Sequence, residues 1–217
     1  LQTVLTTVDT ILSQQGLRLG DIDYYDINDP TYDDVTSAEF GPMLATSSVA
    51  SQVRLNLFFV RTAIGGGVLG VAAMLGGPAI NGTTQSGVMS LYSTNNPSFI
   101  GLVAAHEIGH FVGLAHTVES NGSHDDILDT AQCAATGTNA NCPTAGGGYL
   151  MHWQAVGGTT ITNGQGLVIR GHPLVGPRLA PPPLTAASRG PAAPLIQVDP
   201  TTPQNWCGTC SGIPKGR

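Results

Sequence analysis

Lysine is nearly missing from this sequence. Lys215 is the only one in 217 residues, and the other seven basic residues are arginines. Charged residues make up 10% of the chain, against about 25% in ordinary soluble proteins. With 8 basic and 14 acidic residues the formal charge is −6. No basic stripe is available to follow a phosphate backbone, which excludes nucleic-acid binding as a main role. The chain opens at Leu1 without a charged leader and cleavage site. That pattern gives the expectation of a mature product or an excised domain. Charge is wholly absent from Thr62 to His106. Within that run, residues 63–80 read AIGGGVLGVAAMLGGPAI, long enough to suggest a membrane span. Six glycines and a proline argue against insertion, so a Gly-rich loop with a strand is expected instead.

Hydrophobic residues reach 41%, which argues against general disorder. The length fits one medium domain, or one domain and a tail. The 29 glycines and 15 prolines promise many loops. Ten of the prolines lie at Pro173 or later, and seven acidic residues lie between Asp21 and Glu39. Four cysteines, Cys133, Cys142, Cys207 and Cys210, allow three pairings. Pairing of neighbours, 133 with 142 and 207 with 210, is the expectation. It suits an oxidising, extracytoplasmic setting. The WCGTC string at 206–210 resembles a redox centre. Only seven residues follow it, too few and too rich in Gly and Pro to build the helix that would acidify its first thiol. A tail disulfide is the better reading.

Leu1, Val4, Leu5, Val8, Ile11 and Leu12 repeat at helical spacing, with Gly16 as the stop. Residues 17–27 read as a strand, and Asn28, Asp29 and Pro30 as a turn. Residues 53–60 and 86–92 read as further strands, with loop over 65–77. Asn96 and Pro97 provide a cap and a first helical residue for a helix that should end at Gly113. Thr162 and Gln165 have capping-box spacing for a short helix ending near Gly171. From Pro173 the chain reads as an extended Pro-rich tail.

Residues 106–116 read HEIGHFVGLAH. His106 and His110 are four apart on the expected helix, so their imidazoles share one face and could hold one Zn²⁺. Glu107 sits where its carboxylate reaches a water beside the metal. Gly113 permits a sharp turn that returns His116 as a third ligand. Three protein ligands leave a fourth position open, as catalytic zinc sites do. Glu107 is then the general base and acid of peptide hydrolysis by an activated water.

With these residues the chain resembles the metzincin zinc endopeptidases. The extended motif matches at His106, Glu107, His110, Gly113 and His116. YLMHW at 149–153 resembles the family's Met-turn, with Met151 in the place of its methionine. Several metzincins carry a Tyr two residues after that methionine; Trp153 stands there instead and cannot ligate zinc, while Tyr149 is a remote substitute. Thr117, the DDILDT string at 125–130 and TNGQ at 162–165 resemble the pappalysin-like branch.

The resemblance covers roughly residues 53–175. It implies a mixed α/β (α+β) catalytic domain in two subdomains: residues 1–113 with the sheet and zinc helix, and residues 114–175 with the third His and Met-turn. Residues 176–217 form the tail. It also implies protein or peptide substrates bound as an extended strand along a sheet edge, for which residues 86–92 are the candidate, with the charge-free run as the cleft's upper wall. A secreted monomer without a membrane span is expected. Two acidic groups could hold Ca²⁺. One is Asp125, Asp126, Asp129 and Thr130, helped by the likeness. The other is Asp21, Asp23, Asp26, Asp29, Asp33 and Asp34, for which a solvated face is the better reading. His124, His152 and His172 are expected on the surface or in the cleft. Two rival readings remain: a zinc-bearing binding module or latent homologue with its cleft blocked by the tail, and a wall- or matrix-anchored structural domain.

Overall fold

The structure is a computed structural model. It describes residues 1–65, 67–92, 95–130, 148–155 and 157–176. All four cysteines and the Pro-rich tail beyond 176 lie outside the described residues, and with them the disulfide pairings and the blocked-cleft reading.

The order of elements is helix α1 (Gln2–Ser13), β1 (Asp34–Val35), α2 (Ser37–Ala45), β2 (Leu57–Val60), β3 (Thr62–Ala63), β4 (Gly70–Ala72), β5 (Val88–Leu91), α3 (Pro97–Phe111) and α4 (Asn163–Arg170). Three strands form the main sheet in the order β2-β5-β4. β2 runs parallel to β5, and β4 runs antiparallel to it. β1 and β3 form a separate parallel pair.

The sheet is covered on both faces, and its side chains alternate between them as a two-residue period requires. Val88 and Ala72 point into a core shared with α1, α3 and α4. Their neighbours Met89, Val71 and Ala73 point the other way, into a second core with Met43 and Leu44 of α2. Burial on both faces explains why the strands read as short apolar runs rather than as a clean alternation. Each fully buried side chain of this size, Leu44 or Met89 for example, contributes roughly 1.5–3 kcal/mol.

α3 is buried around its whole circumference from Ile100 to Phe111. A helix apolar all round belongs inside the molecule. Asn96 caps it, its side-chain oxygen accepting from the Phe99 amide at 3.1 Å, with Pro97 in the first turn. α1 packs close against it: a Cβ on Gly101 would lie 2.5 Å from Thr7 Cβ and 2.7 Å from the Val4 carbonyl oxygen. α4 has the capping box its sequence predicts, with Thr162 and Gln165 each accepting from the other's backbone amide.

Three expectations are corrected. Residues 17–27 form no strand. Leu17 and Leu19 pack on the first core, but Ile22, Tyr24, Tyr25 and Ile27 are exposed, and no neighbouring strand satisfies their backbone. β4 lies inside the expected loop 65–77. Residues 86–92 supply β5, which is the central strand and not the edge; β4 is the antiparallel edge. No helix among the described residues is long and apolar enough to cross a membrane.

Candidate metal centre

The last two turns of α3 carry His106, Glu107 and His110, all buried. Gly113 then takes φ +105°, and the Leu114 amide closes the turn on the Gly109 carbonyl at 2.9 Å. The chain doubles back and delivers His116. Loop amides from β4's side satisfy the carbonyls the helix end leaves open: Gly76 donates to His110 O at 3.0 Å and Gly77 to Phe111 O at 2.7 Å.

These turns bring His106, His110 and His116 together, one ring nitrogen of each within 4.8 Å of the others. Among the described residues this is the only such group of metal-ligating side chains. Each Nδ1 faces an oxygen: His106 the Leu150 carbonyl at 2.6 Å, His110 the Leu114 carbonyl at 2.7 Å, and His116 the Glu119 carboxylate at 3.1 Å. Carbonyls only accept, so Nδ1 of His106 and of His110 carries the proton and donates; Nδ1 of His116 meets the Glu119 carboxylate in an ion-pair contact. The lone pair of these two helix-borne rings is thereby placed on Nε2. Nε2 of His110 and Nε2 of His116 are 3.1 Å apart. The edge of a tetrahedron of nitrogens about a zinc ion is roughly 3.3 Å for bonds of ~2.0–2.1 Å. Donor type, tautomer and spacing all fit a divalent ion of the zinc class.

Glu107 lies against the edge strand. A Cβ on Gly70 of β4 would fall 2.6 Å from its Cγ and 2.8 Å from its Oε1. Met151 is fully buried in a turn where the His152 amide donates to the Tyr149 carbonyl at 3.3 Å. It lies beneath α3: a Cβ on Gly109 would meet its Sδ at 2.4 Å. Its carbonyl accepts from the Thr117 amide at 2.8 Å, so the same turn braces His106 through Leu150 and the His116 segment through Met151. Trp153 is half-buried and its indole lies obliquely to His152, ring centroids 6.0 Å apart. Tyr149 pairs its backbone with Thr160.

Other expectations fare differently. His152 and His172 are buried, not superficial; His124 is exposed. Burial pushes the pKa of both buried rings down, and the neighbouring His116 adds to the effect at His152. His172 Nε2 donates to the Gly77 carbonyl at 2.7 Å while its Nδ1 accepts from the Leu174 amide at 3.3 Å. The calcium candidates are not brought together. Asp125 turns inward to the Thr130 hydroxyl at 2.5 Å and the Ile127 amide at 3.2 Å, and burial pushes its pKa up. Asp126 is exposed. Asp129 instead caps α4, accepting from Thr162 Oγ1 at 2.7 Å and the Gly164 amide at 2.9 Å. In the second acidic group, Asp29 caps a short 3-10 turn at Thr31, Asp23 faces Arg54 at 3.4 Å, and Asp34 faces Arg61 at 2.9 Å.

Sequence reasoning missed the residues that hold the three rings. Glu119 could have been suspected as an acid three residues after His116, but the carbonyls of Leu150 and Leu114 leave no side-chain signal. Gly70 and Gly109 likewise read as loop or filler until their neighbours are seen.

A helix presenting two imidazoles and a carboxylate, with a third imidazole returned by a glycine turn, is the site of a metallopeptidase. A reprolysin-type profile described as metallo-peptidase family M12 matches residues 10–163, more than two thirds of the chain. The protein belongs to that family. The match supports the metzincin likeness and lends nothing to the pappalysin-like branch. None of the curated proteins matches the chain.

Proposed function

We propose that the protein is a zinc-dependent endopeptidase that cleaves internal peptide bonds, acting outside the cytoplasm. The observation that carries the reading is the three-imidazole group, buried, with every Nδ1 facing an oxygen. His106, His110 and His116 would hold the ion. When bound, zinc supplies a Lewis acid that polarises a peptide carbonyl and makes water easier to deprotonate. Glu107, on the turn between two of the ligands, accepts the proton of the attacking water at its carboxylate and hands it to the leaving amine. Its position against Gly70 puts that carboxylate beside the edge strand. β4 is paired with β5 on one side; a substrate strand added along its other side passes directly by Glu107.

The test is digestion of a mixed peptide library with cut sites read by mass spectrometry, beside samples holding a zinc chelator or the Glu107→Ala variant. Internal cuts that vanish with chelator and fall about 10²–10⁴-fold in the variant are expected. A protein that binds zinc yet makes no cuts, or one whose Glu107→Ala variant cuts as well as the parent, would sink the reading.

A further inference from the structure

We propose that Glu119 is a positioning residue of the metal centre: its carboxylate fixes the tautomer and orientation of His116 and so sets how tightly the site holds its ion. The proposal rests on the zinc reading above. The three rings are held in two different ways. His106 and His110 donate through Nδ1 to neutral main-chain carbonyls, those of Leu150 and Leu114. His116 Nδ1 instead faces a charged side chain, 3.1 Å from Glu119 Oε1. A carboxylate makes a stronger hydrogen bond than a carbonyl and leaves the far ring nitrogen more basic. The difference falls where it is needed. His106 and His110 ride on α3, whose backbone fixes both; His116 stands on an irregular segment beyond the Gly113 turn.

Glu119 is itself built into place. Its amide donates to the Ser123 carbonyl at 2.7 Å, and its carbonyl accepts from the Gly122 amide at 3.0 Å. Asn121 Oδ1 closes the turn by accepting from the Ser123 amide at 2.9 Å. The carboxylate therefore reaches His116 from a closed turn. The Glu119 side chain is 32% exposed whereas His116 is 4% exposed. Replacing Glu119 opens no core cavity, so its effect on the metal separates from any effect on folding.

Metal-free wild type, Glu119→Gln and Glu119→Ala would each be titrated with zinc against a chromophoric chelator. Glu119→Ala is expected to weaken zinc binding by about 10–100-fold. Glu119→Gln should fall between, because its amide oxygen can still face Nδ1 without the charge. In the metal-free proteins, ring ¹H–¹⁵N correlations should show the Nδ1–H form of His116 in wild type and Glu119→Gln, and a tautomer mixture in Glu119→Ala. Melting of the metal-free variants should match the parent. Normal zinc uptake by wild type with Glu119→Ala indistinguishable from it in affinity and tautomer overturns this proposal alone. A wild-type protein that takes up no zinc overturns the metal reading, and this proposal with it.

Discussion

At two glycines beside the metal-binding turns even a methyl group would not fit. Gly109 and Gly70 both lack room for a Cβ, but for different reasons. At Gly109 the obstacle is Met151 Sδ at 2.4 Å, with Met151 Cε at 3.2 Å. A thioether yields more easily than a ring, yet it is fully enclosed. Gly109→Ala is therefore expected to cost about 1–3 kcal/mol by overpacking, read as a lower melting temperature. At Gly70 the obstacles are Glu107 and, at 2.9 Å, Val103 Cγ1. A methyl there pushes on the Glu107 carboxylate, the group proposed above to take the water's proton. Small misplacements of a catalytic group cost on the order of 100-fold in rate. Gly70→Ala is expected to lose peptidase activity at that scale while still binding zinc. An active Gly70→Ala variant would show that Glu107 does not work from the position it holds against β4.

At the scale of elements, α4 shows how the fold secures the residues that follow the third histidine. Its N-terminus is fixed three times over, by the Thr162 hydroxyl, the Gln165 side chain and Asp129. Gln165 also donates to Thr117 Oγ1 at 3.3 Å, tying the helix to the residue after His116. Thr162→Ala removes one cap and a partner of Asp129. It should destabilise the protein by about 0.5–2 kcal/mol without changing zinc affinity, as chemical denaturation and chelator competition would show. Helices of this kind were legible from the sequence. α1, α3 and α4 carry caps, stops or long apolar faces that act within one segment, and the metal-binding string sits on one of them. α2 was not legible: Thr36 and Glu39 form a capping box, but Gly41 and Pro42 inside the helix work against its local pattern. β4 was legible only as a strand somewhere within residues 63–80, not by its bounds. Three residues beginning with glycine have no strand signal of their own; they are a strand because β5 pairs with them. The same nonlocality reversed the edge and centre of the sheet. Strand order is decided by partners far along the chain, which no local pattern in residues 86–92 could reveal.

At the scale of the molecule, the end of the described chain is latched to the loop whose amides cap the end of α3. His172 makes the latch. It lies against Phe111 with ring centroids 5.8 Å apart and donates to the Gly77 carbonyl, while the Gly77 amide donates to Phe111 O. The ring serves this role only in its neutral form, since Nδ1 must accept from the Leu174 amide. Burial, the larger influence, pushes its pKa below the ordinary value of 6.5, and the Gly77 carbonyl only partly opposes it. The direction of the pH effect follows. The unfolded chain takes up a proton near pH 6.5 and the folded chain does not until lower pH, so the unfolded state binds more protons there and is favoured as pH falls. His172 thus leaves stability unaffected above about pH 6.5 and erodes it below. His152, whose pKa is also lowered by burial, acts in the same direction. Carboxylates held low by hydrogen bonds, Asp9 to Arg18 and Asp129 to Gly164 among them, lose their contribution only in a more acidic range. The metal-free protein should therefore begin to lose melting temperature between about pH 6.5 and 5, before the carboxylates held low titrate; Asp125, pushed up by burial, works in the opposite direction. His172→Gln, able to keep a donor toward Gly77 without titrating, should flatten that first decline in part, leaving the share due to His152. A melting curve that stays level down to pH 5, or one with the same slope in His172→Gln, would show that the latch is not held by a neutral imidazole.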